Sequence, residues 1–294
     1  MLKTITYLIE TESQPTVSQF LLDQGISKKA ISTMKLQENS ILVNELAVFT
    51  IYRLQKGDKL KISIDENSDE ENIVPIKMDL NILYEDDDLI IIDKPYGLTV
   101  HPSKKYFTDT LSNGLAYYYQ SQNKDICTHC ITRLDKDTSG LTLFAKNRIS
   151  ANYLSKMIAN KEIKKTYYAL VAGKFEHEIG TIDAPIARLS KGNILRTVDA
   201  NGKRAITHYK VIKYNQADDI SLVECILETG RTHQIRVHLN YLSHPIVGDD
   251  LYNKTDKRLN RQALHCGKLS FTHPLTNEKI EIVSQLPSDM ASLI

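Results

Sequence analysis

The sequence contains no apolar run approaching the roughly 18 residues that a membrane-spanning helix needs. Residues 1–7 include neither a long apolar stretch nor a small-residue cleavage site, so we expect no secretory signal. Cysteine is scarce, and the four cysteines of the 294 residues favour reduced thiols over a disulfide framework. These absences argue against a membrane protein and a disulfide-rich secreted domain. They predict a cytoplasmic location.

The chain has little net charge, only +1 at pH 7, since 37 basic residues nearly balance 36 acidic ones. The charges are nevertheless unevenly distributed. Residues 133–165 contain eight basic and three acidic residues, and residues 188–213 contain seven basic and one acidic residue. Basic blocks of this kind can contact nucleic-acid phosphates, although solvated helix and hairpin faces have the same composition. Charge alone leaves both interpretations open.

A chain of 294 residues is longer than a typical single domain and favours two domains. Residues 65–72 are polar and acidic, with no apolar period, and Pro75 follows them, which is typical of an exposed linker over residues 65–75. We therefore predict a small domain over residues 1–64 and a larger domain over residues 76–294.

Two short helices, a hairpin and an alternating strand are predicted within residues 16–64, with Thr16 and Ser27 as helix caps. These elements resemble the small RNA-binding domain first named for a small-subunit ribosomal protein. The resemblance implies that lysines of the second helix face RNA phosphates, and these are Lys28, Lys29 and Lys35. A generic small α+β domain is the alternative.

The larger domain is rich in predicted strands. Helices are predicted at 108–122, 150–160 and 235–242, and strands at 89–92, 167–171, 207–214 and 221–227. Because strands outnumber helices and do not alternate regularly with them, the predicted class is α+β. We expect a mixed, largely antiparallel central sheet with flanking helices.

Asp135 lies in the segment Arg133-Leu134-Asp135, shortly before the apolar strand that begins near Leu141. An aspartate in such a turn commonly bonds its own backbone, and Asp137 fits that role well. From this segment alone, a turn residue is the favoured interpretation of Asp135, and a catalytic residue is the alternative.

A second polar segment places Arg231, His233, Arg236 and His238 at a predicted strand-to-helix junction. A helix N-terminus attracts anions, so Arg231 could pair with a phosphate or with a carboxylate such as that of Asp135. No third or fourth ligand follows the histidines at zinc-finger spacing. We therefore predict no metal site.

A third segment contains the adjacent tyrosines Tyr167 and Tyr168. Alternation along a strand directs them to opposite faces, so that one can pack in the core while the other meets a cleft. An aromatic ring in a cleft can stack on a base that has left its helix. An ordinary core or surface aromatic is the alternative.

Together these segments resemble the RluA family of pseudouridine synthases over about residues 81–284. The motifs that carry the resemblance lie at residues 93–102, 133–135, 165–167, 230–238, 244–249, 264–265 and 271–274. Two positions depart from the family pattern: Thr132 stands where the family usually has histidine, and Asp93 where it usually has asparagine. The departures concern packing and substrate choice rather than the bond-making residues.

The resemblance implies isomerisation of a uridine within RNA, a reaction that needs no redox cofactor, nucleotide or metal. It assigns Asp135 as the nucleophile, Arg231 as its counter-charge and Tyr167 as the ring that stacks on uracil. The RNA contacts are predicted at Arg133, His233 and Arg236, together with the three lysines of the small domain.

We expect the substrate to be large-subunit ribosomal RNA, with transfer RNA as the alternative. A non-catalytic RNA-binding assembly factor is a rival interpretation, but it does not require the Asp135, Tyr167 and Arg231 set. A metal-dependent RNA hydrolase is a second rival, and it would require a carboxylate-histidine cluster. The protein is expected to be a monomer with no membrane partner and no small-molecule cofactor.

Overall fold

The computed structural model describes residues 2–65, 73–103, 106–190 and 192–294. Its helices are α1 (Val17–Asp23), α2 (Lys28–Met34), α3 (Leu111–Ser121), α4 (Arg148–Ala159), α5 (Gln234–Tyr241) and α6 (Ser288–Ala291). The first strands are β1 (Leu2–Leu8), β2 (Ile41–Val43), β3 (Leu46–Ala47), β4 (Lys59–Asp65), β5 (Ile82–Glu85), β6 (Leu89–Lys94), β7 (His129–Cys130) and β8 (Ser139–Ala145). The others are β9 (Lys164–Ala172), β10 (Ile179–Asp183), β11 (Ile186–Arg188), β12 (Arg196–Val198), β13 (Ile206–Asn215), β14 (Ile220–Leu227), β15 (Leu264–Thr272) and β16 (Lys279–Val283).

Short polar side chains cap the first two helices. The side chain of Thr16 accepts a hydrogen bond from the Gln19 amide, and that of Ser27 accepts one from the Ala30 amide. Each cap satisfies a backbone N–H that has no partner within the first helical turn. The caps predicted at these two positions are confirmed.

The N-terminal residues form a four-stranded sheet in the order β1-β4-β2-β3. Helices α1 and α2 share a buried cluster with this sheet. Strand β1 was not predicted, although it pairs with the whole of β4. Its partner lies at the far end of the small domain, so the pairing has no local signal in the sequence. The predicted linker cannot be compared in the same way, because its residues 66–72 lie outside the described residues.

The larger sheet has ten strands. Its main path is β10-β13-β14-β9-β15-β8-β6-β5, with β16 and β7 paired beside it. Every pairing in it is antiparallel except that of β15 with β8. At that crossing a Cβ atom on Gly140 would lie 2.3 Å from the Cys266 carbonyl oxygen, and φ of Gly140 is +113°. Only glycine tolerates both conditions. The predicted α+β class with a mixed, largely antiparallel sheet is confirmed.

Strand β6 is buried on both faces and therefore lies in the interior of the molecule. Leu89 and Ile91 belong to the main hydrophobic cluster of the large sheet, whereas Ile90 and Ile92 pack against α3 on the opposite face. Because successive side chains of a strand alternate, a continuous apolar run of this kind indicates a central strand. The neighbouring strand β8 is buried along its whole length, so the loop that precedes it is built on a rigid base.

Helix α4 joins the large domain to the N-terminal sheet. Ile149 of α4 is fully buried within the N-terminal cluster, and the hydroxyl groups of Tyr7 and Tyr153 lie 2.8 Å apart. Burial raises the pKa of Tyr7 well above its usual range. The buried cluster of the N-terminal sheet therefore includes a side chain of α4. In the part of the chain that is described, no helix has the length and apolar character to cross a membrane.

This shared core predicts that Ile149→Ala lowers the free energy of unfolding by about 2–4 kcal/mol, because it leaves a cavity between the small domain and α4. Denaturant unfolding monitored by circular dichroism measures the change. The matched control is Ile158→Ala on the same helix, where the side chain is 36% exposed, and there we expect less than about 1 kcal/mol. Equal losses in the two variants would contradict the shared core.

Candidate active site

Asp135 lies in the turn that leads into β8. The Thr138 amide donates to the Asp135 carbonyl at 3.1 Å, which closes the turn, and Leu134 packs between two hydrophobic clusters. The Asp135 side chain is 34% exposed, and Arg133 is exposed beside it. The turn thus presents a carboxylate to solvent while its neighbouring leucine anchors it to the core.

The turn is also held at both ends by buried polar contacts. Before it, the hydroxyl of Thr132 accepts a hydrogen bond from the Leu143 amide at 2.9 Å. After it, Gln262 Nε2 donates to the hydroxyl of Thr138 at 3.0 Å. All four residues are buried. Thr132 therefore supports the turn through the backbone of β8, at the position where the family resemblance implied a histidine.

Lys94 supplies a third anchor from the end of β6. Its ammonium donates to the carbonyl oxygens of Pro95, Leu98 and Lys136 at 2.8–2.9 Å, and Lys136 directly follows Asp135 in the sequence. Burial lowers the pKa of Lys94 to about 7, and the carboxylates of Asp137 and Asp135 act in the opposite direction. The three carbonyl groups use all three N–H donors of the charged amine. Lys94 therefore fixes the backbone beside the candidate nucleophile.

Arg236 is the cation that contacts Asp135. Its Nη1 donates to Asp135 Oδ2 at 3.4 Å. Its Nε and Nη2 donate to the two carboxylate oxygens of Asp249, each at 2.7 Å. Arg236 is 3% exposed and Asp249 is fully buried. Burial opposes the charge of Arg236, but the bonds to Asp249 outweigh it and raise the pKa of Arg236.

The predicted pairing of Asp135 with Arg231 is wrong. Arg231 is exposed, its Nε donates to the Arg204 carbonyl at 2.9 Å, and no ion pair between it and Asp135 occurs within the described ranges. His233, two residues later, adopts a left-handed backbone conformation with φ +57°. The chain changes direction at His233, so Arg231 lies outside α5 and its side chain is not directed toward Asp135. Arg236, inside the helix, contacts Asp135 instead.

His233 and Arg236 were predicted to contact RNA, but both are directed inward. His233 Nε2 lies 3.9 Å from Asp135 Oδ2, and its Nδ1 lies 3.0 Å from the Tyr252 hydroxyl. Burial lowers the pKa of His233, whereas the nearby Asp135 carboxylate raises it. The two residues therefore line the carboxylate, and their contact with RNA remains a prediction.

Tyr167 lies on β9 beneath the site. It pairs in register with Cys225 of β14 and Cys266 of β15, and it is 5% exposed. Burial, then the Cys266 thiol and the Asp135 carboxylate, raise the pKa of Tyr167 well above its usual range. Its phenol is therefore neutral at ordinary pH and close enough to Asp135 to sense its charge.

Two further polar residues of α5, His238 and Gln234, hold the helix in place. His238 is buried, with Nδ1 2.8 Å from the Thr207 hydroxyl and Nε2 2.9 Å from the Ala184 carbonyl. Gln234 accepts from the Arg231 amide and donates to the Ile206 carbonyl. These bonds tie the start of α5 to β13 and set the position of Arg236.

The lysines predicted to bind RNA through the small domain are all exposed along or directly after α2, and they are Lys28, Lys29 and Lys35. Their role in binding remains a prediction. Of the cysteines, Cys225 and Cys266 are buried and Cys127 and Cys130 are half-buried, and all four are free thiols.

One cluster of potential metal ligands occurs among the described residues, and it consists of Asp86, Asp88 and His273. His273 Nδ1 accepts hydrogen bonds from the amides of Leu275 and Thr276, so the proton of the neutral ring is on Nε2. That nitrogen lies 3.2 Å from Asp86 Oδ2. A protonated nitrogen cannot bind a metal ion, so Nε2 of the buried His273 is not a metal ligand and instead lies beside the partly exposed Asp86 carboxylate.

Comparison with known proteins identifies the family of this chain. A family model described as RNA pseudouridylate synthase matches residues 88–241. The Bacillus subtilis protein named "Uncharacterized RNA pseudouridine synthase YjbO" is 40% identical over 279 residues, which cover 95% of this chain and 98% of that protein. "Ribosomal large subunit pseudouridine synthase D" of Nitrosomonas europaea is 37% identical over 268 residues, covering 88% of this chain and 77% of that protein.

Solved structures give the same result. "Human RNA Pseudouridylate Synthase Domain Containing 1" matches with a TM-score of 0.60 and 26% identity, over 70% of this chain and 83% of that chain. The chain therefore belongs to the RNA pseudouridylate synthase family and is an isomerase that acts on RNA.

Sequence reasoning missed the parts played by Arg236, Asp249 and Lys94. A signal for the first was available: Arg236 stands between Ile235 and Val237 in a helix whose neighbours are apolar. An arginine buried in such a helix requires a carboxylate partner. The identity of that partner depends on the tertiary fold, because Asp249 belongs to a loop beyond the helix.

We expect Arg236→Ala to lower the free energy of unfolding by about 3–5 kcal/mol, because it leaves Asp249 buried without its cation. Arg231→Ala removes an exposed side chain, and we expect a change below about 1 kcal/mol. The double variant Arg236→Met with Asp249→Asn should recover most of the stability and remain inactive. Thermal unfolding and single-turnover activity measure these effects, and an active double variant would contradict the role of Arg236.

For Lys94→Met we expect the free energy of unfolding to fall by about 2–3 kcal/mol, because three carbonyl groups lose a hydrogen-bond donor. We also expect a fall in kcat of about 100-fold, because the backbone beside Asp135 is displaced. Lys124→Met, an exposed lysine outside this loop, is the control and should change neither quantity. If Lys94→Met is measured under conditions where it is fully folded and its kcat is unchanged, the Asp135 turn does not depend on Lys94.

Proposed function

We propose that this enzyme converts one or a few uridines of large-subunit ribosomal RNA into pseudouridine. The observation that carries the proposal is a half-exposed carboxylate, that of Asp135, held by the buried Arg236 beside the buried ring of Tyr167. Relatives that match most of this chain are named for the large ribosomal subunit, and this favours ribosomal over transfer RNA. Such a substrate fits a cytoplasmic, monomeric enzyme.

The chemistry requires a nucleophile but no net consumption of reagents. The bond between ribose C1′ and uracil N1 breaks, the uracil turns, and C5 forms the new bond to C1′. C5 then loses its proton and N1 gains one, so that the product is an isomer of the substrate. In the proposed role, Asp135 attacks either the ribose or the base ring, and it is regenerated when the new carbon bond is complete.

The neighbouring groups have separate proposed roles. Arg236 keeps one oxygen of Asp135 in place and balances its charge. Tyr167 offers its ring to the uracil, since a neutral phenol stacks without adding charge. Arg133 is exposed beside Asp135 and could contact the phosphate of the target nucleotide or displace its base. Extracting the base costs a few kcal/mol of unstacking, which these contacts would offset.

Asp135→Asn provides the test. We expect it to abolish pseudouridine formation, at least about 10⁴-fold below wild type, with thermal stability and RNA affinity nearly unchanged because the side chain is similar in size and partly exposed. The assay is tritium release from a large-subunit ribosomal RNA transcript labelled at uracil C5.

The same assay separates the rival functions. A synthase releases tritium without chain cleavage and without added metal, whereas a hydrolase cleaves the RNA and an assembly factor does neither. Full turnover by Asp135→Asn would contradict the assignment of the nucleophile. Release from transfer RNA alone would contradict the proposed substrate.

A further inference from the structure

Tyr252 links the backbone of the β12 hairpin strand to the candidate active site. The amide of Arg196 donates to the Tyr252 hydroxyl oxygen at 2.9 Å, and the same hydroxyl lies 3.0 Å from His233 Nδ1. The Tyr252 ring also faces the guanidinium of Arg236, whose Cζ is 5.1 Å from the ring centroid. One residue therefore contacts both groups that line the Asp135 carboxylate.

Tyr252 can select which nitrogen of His233 carries the proton. A phenol hydroxyl has one proton and two acceptor lone pairs, and the Arg196 amide, which can only donate, uses one of the lone pairs. Within the described residues, His233 Nδ1 is the acceptor in reach of the Tyr252 proton. When the hydroxyl donates to Nδ1, the neutral ring carries its proton on Nε2, which is the nitrogen that faces Asp135 Oδ2 at 3.9 Å.

The backbone of His233 supports this orientation. The residue stands at the N-cap of α5 with φ +57°, and its side chain makes no capping bond. Histidine tolerates this left-handed conformation better than most residues, but the conformation still carries some strain. Because the ring does not cap the helix, it is free to point between Tyr252 and Asp135.

Both contacts to Asp135 use the same oxygen. Arg236 Nη1 and His233 Nε2 each approach Oδ2, and no residue in the described part of the chain bonds to Oδ1. The Arg236 contact is a hydrogen bond at 3.4 Å, whereas the His233 contact at 3.9 Å is longer than a hydrogen bond. With Oδ2 turned toward both groups, Oδ1 is the oxygen left available as a nucleophile.

We propose that Tyr252 and His233 are positioning residues for the isomerisation: the Tyr252 hydroxyl holds His233 as the Nε2–H tautomer, and this N–H joins Arg236 in orienting Asp135 so that Oδ1 faces the uridine. The inference rests on the proposed role of Asp135. Burial lowers the pKa of His233 below its ordinary value, with the carboxylate of Asp135 opposing the shift, so the neutral ring that the arrangement requires predominates at neutral pH.

The tautomer can be measured without any RNA. The full chain is labelled with ¹⁵N in its histidine rings, and the His233 signals are assigned by their loss in His233→Gln. In long-range ¹H–¹⁵N correlation spectra we expect Nδ1 to be unprotonated in wild type and the tautomers to mix in Tyr252→Phe. Tyr241→Phe, which removes an exposed hydroxyl from α5, should leave the spectrum unchanged. A wild-type ring protonated on Nδ1 overturns the proposal.

Activity separates positioning from a purely structural role. Glutamine can place an N–H near the Nε2 position, whereas asparagine reaches only the Nδ1 position but adopts the left-handed backbone more readily. We expect His233→Asn to be at least as stable as His233→Gln, yet to fall about 30-fold in kcat against about threefold for the glutamine variant. The dissociation constant for RNA should be equal in both.

If the asparagine variant is more active than the glutamine variant, His233 contributes only through its left-handed backbone conformation, and the proposal is overturned. For Tyr252→Phe we expect kcat to fall about tenfold with KM unchanged, and an unchanged kcat also overturns it. If wild type releases no tritium from the chosen RNA, the proposed substrate fails, while the tautomer measurement still decides the arrangement of Tyr252 and His233.

Discussion

The buried pair of Arg236 and Asp249 is the interaction on which the site depends. Removing two charges from water costs several kcal/mol for each ion, and a bidentate pair with further hydrogen bonds can offset that cost. Asp249 meets this condition, since it also accepts the amides of Leu251 and Tyr252. The pair leaves one guanidinium nitrogen free for Asp135. In the proposed function, the pair serves to orient Asp135, the candidate nucleophile, rather than to add stability.

The fold supplies the opposite half of the site. Strands β6 and β8 are almost wholly buried, and Gly140 allows β8 to approach β15 closely. The Asp135 turn lies directly before the buried strand β8 and is held by Lys94 from the neighbouring strand β6. Helix α5, fixed to β13 through Gln234, brings Arg236 from the other side. A carboxylate and its cation, separated by about a hundred residues in sequence, thus meet between two rigid elements.

Local patterns predicted the parts of this molecule that depend on local interactions. The caps at Thr16 and Ser27, the apolar strand at residues 89–92 and the α+β class follow from side-chain chemistry and periodicity. The choice between Arg231 and Arg236 does not, because it depends on a left-handed residue at position 233 and on a carboxylate beyond the helix. Strand β1 was missed for a similar reason, since its pairing partner is distant in the chain.

We propose that Asp135 enables this chain to convert a uridine of large-subunit ribosomal RNA into pseudouridine. A pseudouridine map of RNA from cells that lack the gene, compared with cells that regain either the wild-type chain or Asp135→Asn, tests the proposal. We expect at least one large-subunit site to lose its pseudouridine and only the wild-type chain to restore it. An unchanged map, or restoration by Asp135→Asn, would show that Asp135 does not have this role.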